Sequence, residues 1–363
     1  MAYILDIATA SPAFRAEPHH LNQFYAKALE QVGETNFLKK ISFLNRKTQI
    51  SCRYYAIPDV TTEEKELYKD HDFSPSVEKR MAIYKEKVTP LALSAIYKVL
   101  EKSGFDKKKI THLITVSCTG LTTPGIEFYL AKALSLEHTE KLSINFLGCY
   151  AAFKAIKAAN NICIAEPDAT VLVVSAELCS LHFYPSAVGE DIVANLLFAD
   201  GAAAALICGE NVPSPQKQVL AIQKTGSAFI PNTENLMTWD ISSSAFRMYL
   251  SSDVVKAIKY NIENALLNFL KTAEISFDMW AVHPGGIKIV EAVQAALQLP
   301  QAKVETSIEV LRDFGNMSSA TILFILEKSL AELRTQKAEK SLLSLGFGPG
   351  LNVEMIRYLG VSM

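Results

Sequence analysis

The pattern that most limits the fold of this chain begins at residue 111. Residues 111–118, 142–147, 170–177 and 202–208 are short apolar runs with the length of buried strands, and 125–134 and 149–165 between them read as helices. Such alternation indicates a parallel or mixed sheet covered by helices, so the fold class is α/β. One junction stands out. In Ile144-Asn-Phe-Leu-Gly-Cys-Tyr-Ala-Ala-Phe-Lys-Ala-Ile156 the first five residues read as a buried strand ending in Gly148, and an Ala-rich helix follows. Cys149 then lies at a strand-to-helix turn, where free backbone N–H groups and the helix dipole favour an anion and lower a thiol pKa. A free cysteine is as readily a small buried apolar side chain, and the turn alone does not choose.

The second half repeats the plan. Residues 209–218 (Gly-Glu-Asn-Val-Pro-Ser-Pro-Gln-Lys-Gln) read as a linker, which places an N-terminal half at 1–210 and a C-terminal half at 211–363. Beyond it, 219–225 and 279–282 read as strands, 253–272 and 287–297 as helices, and 342–347 with 352–358 as a closing hairpin. Gly148-Cys149 opens a helix that leads to the strand 171–175, and Gly315-Asn316 opens 317–330, which leads to 341–345. A duplicated chain with a pseudo-two-fold would bring the two helix starts together at a central crevice, where ligands bind.

Composition excludes several functions. The 36 basic and 38 acidic residues are well mixed and leave a net charge of −2, which does not suit a nucleic-acid groove or a polybasic membrane tail. No apolar run reaches the ~20 residues that span a bilayer. Residues 1–10 read as a first strand and lack the basic start of a signal peptide. The six scattered cysteines form no CxxC pair, so reduced thiols and a cytoplasmic location are expected. The seven histidines show no metal-ligand spacing, and no metal site is expected.

Residues 12–105 are helix-rich, with helices expected at 20–32 and 89–102. They hold a basic group of Lys39, Lys40, Arg46, Lys47 and Arg53, which is either a solvated helix face or a clamp for a polyanion such as the nucleotide end of coenzyme A.

Three motifs carry the chemistry: Gly148-Cys149-Tyr150-Ala151-Ala152, Val282-His283-Pro284-Gly285-Gly286 and Gly315-Asn316-Met317-Ser318-Ser319-Ala320-Thr321. Each sets one chemically capable side chain among glycines and small residues at the end of a strand or the start of a helix. A nucleophilic thiol needs an imidazole to stabilise its thiolate, and a thioester needs donors aimed at its oxygen. Cys149, His283 and Asn316 supply that set, although cysteine hydrolases use a similar one.

Together with Phe198-Ala-Asp-Gly201 and Gly346-Phe-Gly-Pro-Gly-Leu351, these motifs resemble the type III polyketide synthases, the family of chalcone and stilbene synthases, over essentially the whole chain. The resemblance implies a thiolase-type layered αβαβα fold with two duplicated halves, a homodimer, and condensation of an acyl-CoA starter with malonyl-CoA. No cofactor is implied beyond these substrates. It implies that Cys149 holds the growing chain, that His283 and Asn316 bind the malonyl thioester oxygen, and that Phe198 presses on the malonyl carboxylate. Lys40 and Lys47 match positions that hold CoA phosphates; a third position, usually cationic in the plant enzymes, is Phe43, and Arg46 is the candidate to compensate. The loop Gly346, Phe347, Gly348, Pro349 and Gly350 is expected to shape the cavity floor, with Ser318 nearby.

Several cavity positions depart from the plant pattern: Cys118, Thr123, Cys179, His182, Trp239 and Met248. They and residues 176–183 look more like bacterial members that make alkylpyrones and alkylresorcinols. A bulky Trp239 and a flexible Met248 favour a fatty-acyl starter and a pyrone or resorcinol product. Cys118, Cys179 and His182 are either cavity wall or extra functional groups. The rival functions are an initiating ketoacyl-ACP synthase and a non-catalytic thiolase-fold subunit.

Overall fold

A computed structural model describes residues 1–272, 274–337 and 339–362. Nine strands form one mixed sheet: β1 (Ala2–Ala10), β2 (His112–Ser117), β3 (Glu140–Asn145), β4 (Thr170–Leu178), β5 (Asp200–Gly209), β6 (Gln218–Phe229), β7 (Met279–Val282), β8 (Ser341–Gly348) and β9 (Asn352–Ser362). Their order is β7-β8-β9-β6-β1-β5-β4-β2-β3. The two ends of the sheet follow one plan. Parallel β2 and β4 are followed by antiparallel β5 and β1, and parallel β7 and β8 by antiparallel β9 and β6.

Helices make the remaining layers. Helices Ala151–Ala165 and Thr321–Gln336 share one core with Val171, Val173, Ala203 and Ala205 from one half of the sheet and Leu342 and Ile356 from the other. Residues 321–326 are buried in succession, as only a helix enclosed on all sides permits. The long Val77–Ser103 helix covers the outer face of the first half, and helices Asp253–Leu270 and Ile287–Ala296 cover the second. The result is the layered αβαβα arrangement of a thiolase-like fold.

Three local readings are corrected. The helix expected at 89–102 runs from Val77, because Ser76 caps the backbone N–H of Lys79 and the helix carries Pro90 in its interior. The strand before Cys149 is not buried through 144–148. It is the edge strand β3, largely exposed, and it ends at Asn145 because Phe146 turns into the left-handed region at φ +60°. Gly346 to Gly348 lie in β8 rather than in a loop.

Those glycines position the nucleophile. A Cβ on Gly348 would sit 2.3 Å from the Tyr150 ring and one on Gly346 would sit 2.3 Å from the Phe153 ring. Gly148, at φ +80°, brings its backbone against Pro349. The helix that starts beside Cys149 can therefore lie flat on β8. We predict that Gly346→Ala destabilises the fold by the overpacking cost of about 1–3 kcal/mol, read as a lower thermal unfolding midpoint. Adding Phe153→Leu should recover part of the loss; an unchanged midpoint in the single variant would show that this contact does not set the packing.

Candidate active site

Cys149, His283 and Asn316 come from three elements and line one chamber of about 340 Å³, together with Phe198, Met248 and Phe347. Cys149 directly precedes the Tyr150 cap of its helix. His283 follows the last residue of β7, and its backbone N–H donates to Leu345 O at 2.8 Å. Asn316 is held by two backbone bonds, its N–H to Leu197 O at 3.0 Å and its carbonyl accepting from Ala199 N at 2.9 Å. Phe198 and Asn316 thus form a parallel bridge between the halves.

The Asn316 amide has a set orientation. Its Oδ1 accepts from Ser318 N at 2.9 Å and Thr321 Oγ1 at 3.4 Å, so Nδ2 is the donor end; it donates a long bond to Gly285 O at 3.3 Å, which leaves its second N–H available. The His283 ring is 0% exposed, and neither Nδ1 nor Nε2 has a hydrogen-bond partner among the described residues. An unpaired buried polar group costs about 1–3 kcal/mol, so this ring and the amide are set for a ligand acceptor.

The expected depression of the thiol is overturned. Burial pushes Cys149 up to about 11; the Ser318 hydroxyl draws it down, the Glu177 carboxylate raises it further, and the Asn316 amide draws it down. Complete desolvation outweighs the helix dipole. Burial also pushes the His283 imidazole down to about 3. Neither group readily ionises alone in this chamber.

A larger cavity, about 720 Å³, adjoins the chamber through Phe198 and Met248, which line both. Cys118, Cys179, His182, Trp239 and Ser318 line it. Trp239 and Met248 are cross-strand partners in the ribbon Met237–Ile241 with Phe246–Leu250, and Trp239 Nε1 donates to Cys118 O at 2.9 Å. His182 is part of the wall. Its Nε2 lies 2.7 Å from Thr119 O, its Nδ1 accepts from Phe246 N at 3.1 Å, and its ring stacks on Phe246 at 4.3 Å. Cys118 Sγ accepts from Gly148 N at 3.1 Å, and burial holds both the Cys118 and Cys179 thiols well above the ordinary value.

Other expected site residues lie elsewhere. Thr123 is exposed on the loop after β2 and lines neither cavity, because that loop runs over the surface. Gly346, Gly348 and Pro349 serve helix packing, and only Phe347 of that group reaches the chamber. Lys40, Arg46 and Lys47 are exposed on the Leu38–Thr48 helix and form no ion pair among the described residues; Lys40 Nζ donates to Ala187 O at 3.2 Å. Arg53 cannot be a phosphate clamp, because it is 0% exposed. Its Nη2 donates to Asn45 Oδ1 at 3.0 Å and to Leu196 O. Its stem lies against Gly315, where a Cβ would meet Arg53 Cγ at 3.2 Å. Arg53 therefore ties the cationic helix to the end of the Gly189–Leu197 helix, beneath the Phe198–Asn316 bridge.

The motifs did not single out Met237, Leu250 and Ile289, which also line the chamber, or Glu177, which lies behind it and acts on the Cys149 thiol. Its carboxylate is buried, accepts from Cys118 N at 2.9 Å, Thr119 Oγ1 at 2.8 Å and Ser319 Oγ, and burial pushes it up to about 7. The available signal was an acid closing the apolar run 170–176.

The chain matches two family models, described as the N-terminal domain of chalcone and stilbene synthases over residues 1–211 and the C-terminal domain over 221–362. It is 31% identical over 372 residues to a protein of Bacillus subtilis (strain 168) named for chalcone synthase, covering 99% of this chain and 98% of that one. The crystal structure of PKS-I from the brown alga Ectocarpus siliculosus superposes with a TM-score of 0.90 at 27% identity, covering 100% of this chain and 98% of that chain.

The role of His283 as proton acceptor can be read on the thiol. With His283 taking the proton, the pH inflection for alkylation of Cys149 by iodoacetamide should lie higher in His283→Ala than in the unaltered enzyme. The same inflection in both proteins would show that His283 does not take the proton.

Proposed function

The chain belongs to the chalcone and stilbene synthase family and is a type III polyketide synthase; on that premise we propose that it extends an aliphatic acyl-CoA starter with malonyl-CoA and releases a pyrone or resorcinol. The observation that carries the mechanism is the buried His283 ring with two unpartnered nitrogens, in one chamber with the Cys149 thiol and with Asn316, whose Nδ2 keeps one N–H beyond its long bond to Gly285 O.

The Cys149 proton moves to His283, and the sulfur attacks the starter thioester carbonyl. The C–S bond to coenzyme A breaks, the imidazolium proton goes to the departing thiolate, and the acyl group stays on Cys149. Malonyl-CoA then enters. Its bond to the carboxylate breaks, CO2 leaves, and the electron pair moves onto the thioester oxygen. His283 N–H and Asn316 Nδ2–H donate to that oxygen. A donor of this kind removed from a dry site costs about 10²- to 10³-fold in rate. The enolate carbon attacks the Cys149 thioester, a C–C bond forms, and the sulfur leaves with the chain now on coenzyme A. Phe198, between the chamber and the large cavity, places an apolar ring near the malonyl carboxylate and favours its loss.

The rest of the proposal concerns binding. Exposed Lys40, Arg46 and Lys47 lie on a helix that packs on the one leading to Phe198, a suitable place for the phosphates of coenzyme A. The proposed steps call on no metal or organic cofactor. A homodimer is supported by the open edge of β3 and by Leu121, Phe128, Tyr129 and Leu142, which are exposed beside it. Among the described residues no helix is long and apolar enough to cross a membrane.

Purified enzyme should form product from acyl-CoA and malonyl-CoA without a carrier protein, read by mass spectrometry. Cys149→Ala should abolish product, and His283→Ala and Asn316→Ala should each lower malonyl-CoA decarboxylation about 10²-fold or more. Normal turnover in any of the three variants contradicts the catalytic roles of these side chains. Faster loading of aromatic or acetyl starters than of medium or long alkyl chains contradicts the starter.

A further inference from the structure

The large inner cavity and a separate outer groove of about 1050 Å³ share three lining residues, Phe24, Val60 and Tyr68. These side chains are the partition between the interior and the surface. We infer that this partition is the chain-length stop for an aliphatic acyl tail that starts at Cys149 and lies in the inner cavity, with Val60 as the position that sets the limit. The inference rests on the proposal of an alkyl starter.

The cavity suits a tail. Several polar side chains along it are engaged within the protein: Tyr68 Oη with Ser180 O at 3.0 Å, Thr119 Oγ1 with Glu177 at 2.8 Å, Ser180 Oγ with Asp200 at 2.6 Å, and Tyr184 Oη with Asp191 at 2.7 Å. What faces the space is mainly ring and alkyl surface. The groove beyond the partition is polar, with Lys27, Asp59, Glu63, Lys65 and Asp70 among its walls. An alkyl chain gains by filling the inner cavity and loses that gain once it must cross.

Two members of the partition are fixed. Phe24 is held edge-on by Tyr68 at 5.4 Å, Phe73 at 5.3 Å and Phe183 at 4.9 Å. The Tyr68 hydroxyl also accepts from Arg80 Nη1 at 3.0 Å. Val60 follows Asp59, whose carboxylate accepts the backbone N–H groups of Glu66, Leu67 and Tyr68, so its neighbour in the chain is anchored, and it is the smallest of the three side chains that line both spaces. A change of size at Val60 should move the stop with little effect on the frame around it.

The test is the profile of product yield over a graded series of straight-chain acyl-CoA starters, each normalised to the shortest starter in the same preparation. Val60→Ala should move the upper limit toward longer chains by about two to four carbons, and Val60→Phe should move it toward shorter ones; a chain pair two carbons apart should differ roughly tenfold across the limit. The two opposite shifts separate a ruler from general damage, which would lower all starters together. An enzyme that uses alkyl starters with a profile neither variant moves overturns the ruler and leaves the starter proposal standing. An enzyme that refuses every alkyl starter overturns both.

Discussion

Two backbone hydrogen bonds join the halves of this protein at its working centre. Asn316 donates to Leu197 and accepts from Ala199, so the turn before one central helix is sewn to the strand entrance that carries Phe198. The rest of the site depends on that seam. It fixes the Asn316 amide, places the Phe198 ring between the catalytic chamber and the larger cavity, and leaves room at Gly315 for the buried Arg53 stem. A flat approach of the Cys149 helix to β8, made possible by Gly346 and Gly348, brings the sulfur to the same place from the other side.

The chemistry follows from dryness. A chamber walled by Phe198, Met248, Leu250 and Phe347 penalises any single charge, which is why the thiol rises and the imidazole falls. The same penalty makes fixed donors effective. An enolate oxygen that would be solvated by water outside meets two preset N–H groups in the chamber, and little reorganisation is required at the moment of reaction. In the larger cavity the His182 imidazole and the hydroxyls of Tyr68, Thr119, Ser180 and Tyr184 are committed to protein partners, so specificity there is mainly a matter of shape and length.

Much of this was legible in the chain. Cys149, His283 and Asn316 each sit where one periodic segment ends and another begins, flanked by glycine and small residues, and a sheet with duplicated order brings such ends together. Other features were not. Arg53 reads as one of five nearby cations, and only packing shows that it is buried and bonded to a helix end. The direction of the Cys149 shift depends on how completely the surrounding side chains exclude water, which no local pattern encodes. The Val77–Ser103 helix keeps Pro90 in its interior, against the rule that proline opens a helix, because its tertiary contacts outweigh one missing hydrogen bond. Phe24, Val60 and Tyr68 meet the cavity across contacts more than 100 residues distant in sequence, as in the bond of Tyr68 to Ser180.

The central claim is that the His283 ring and the Asn316 amide donate to one thioester oxygen. A crystal structure of the Cys149→Ala enzyme with malonyl-CoA tests it most directly. The account predicts the thioester oxygen within about 3 Å of both a His283 ring nitrogen and Asn316 Nδ2. An oxygen bonded to other groups, with the His283 ring still unpartnered in the occupied site, would contradict it.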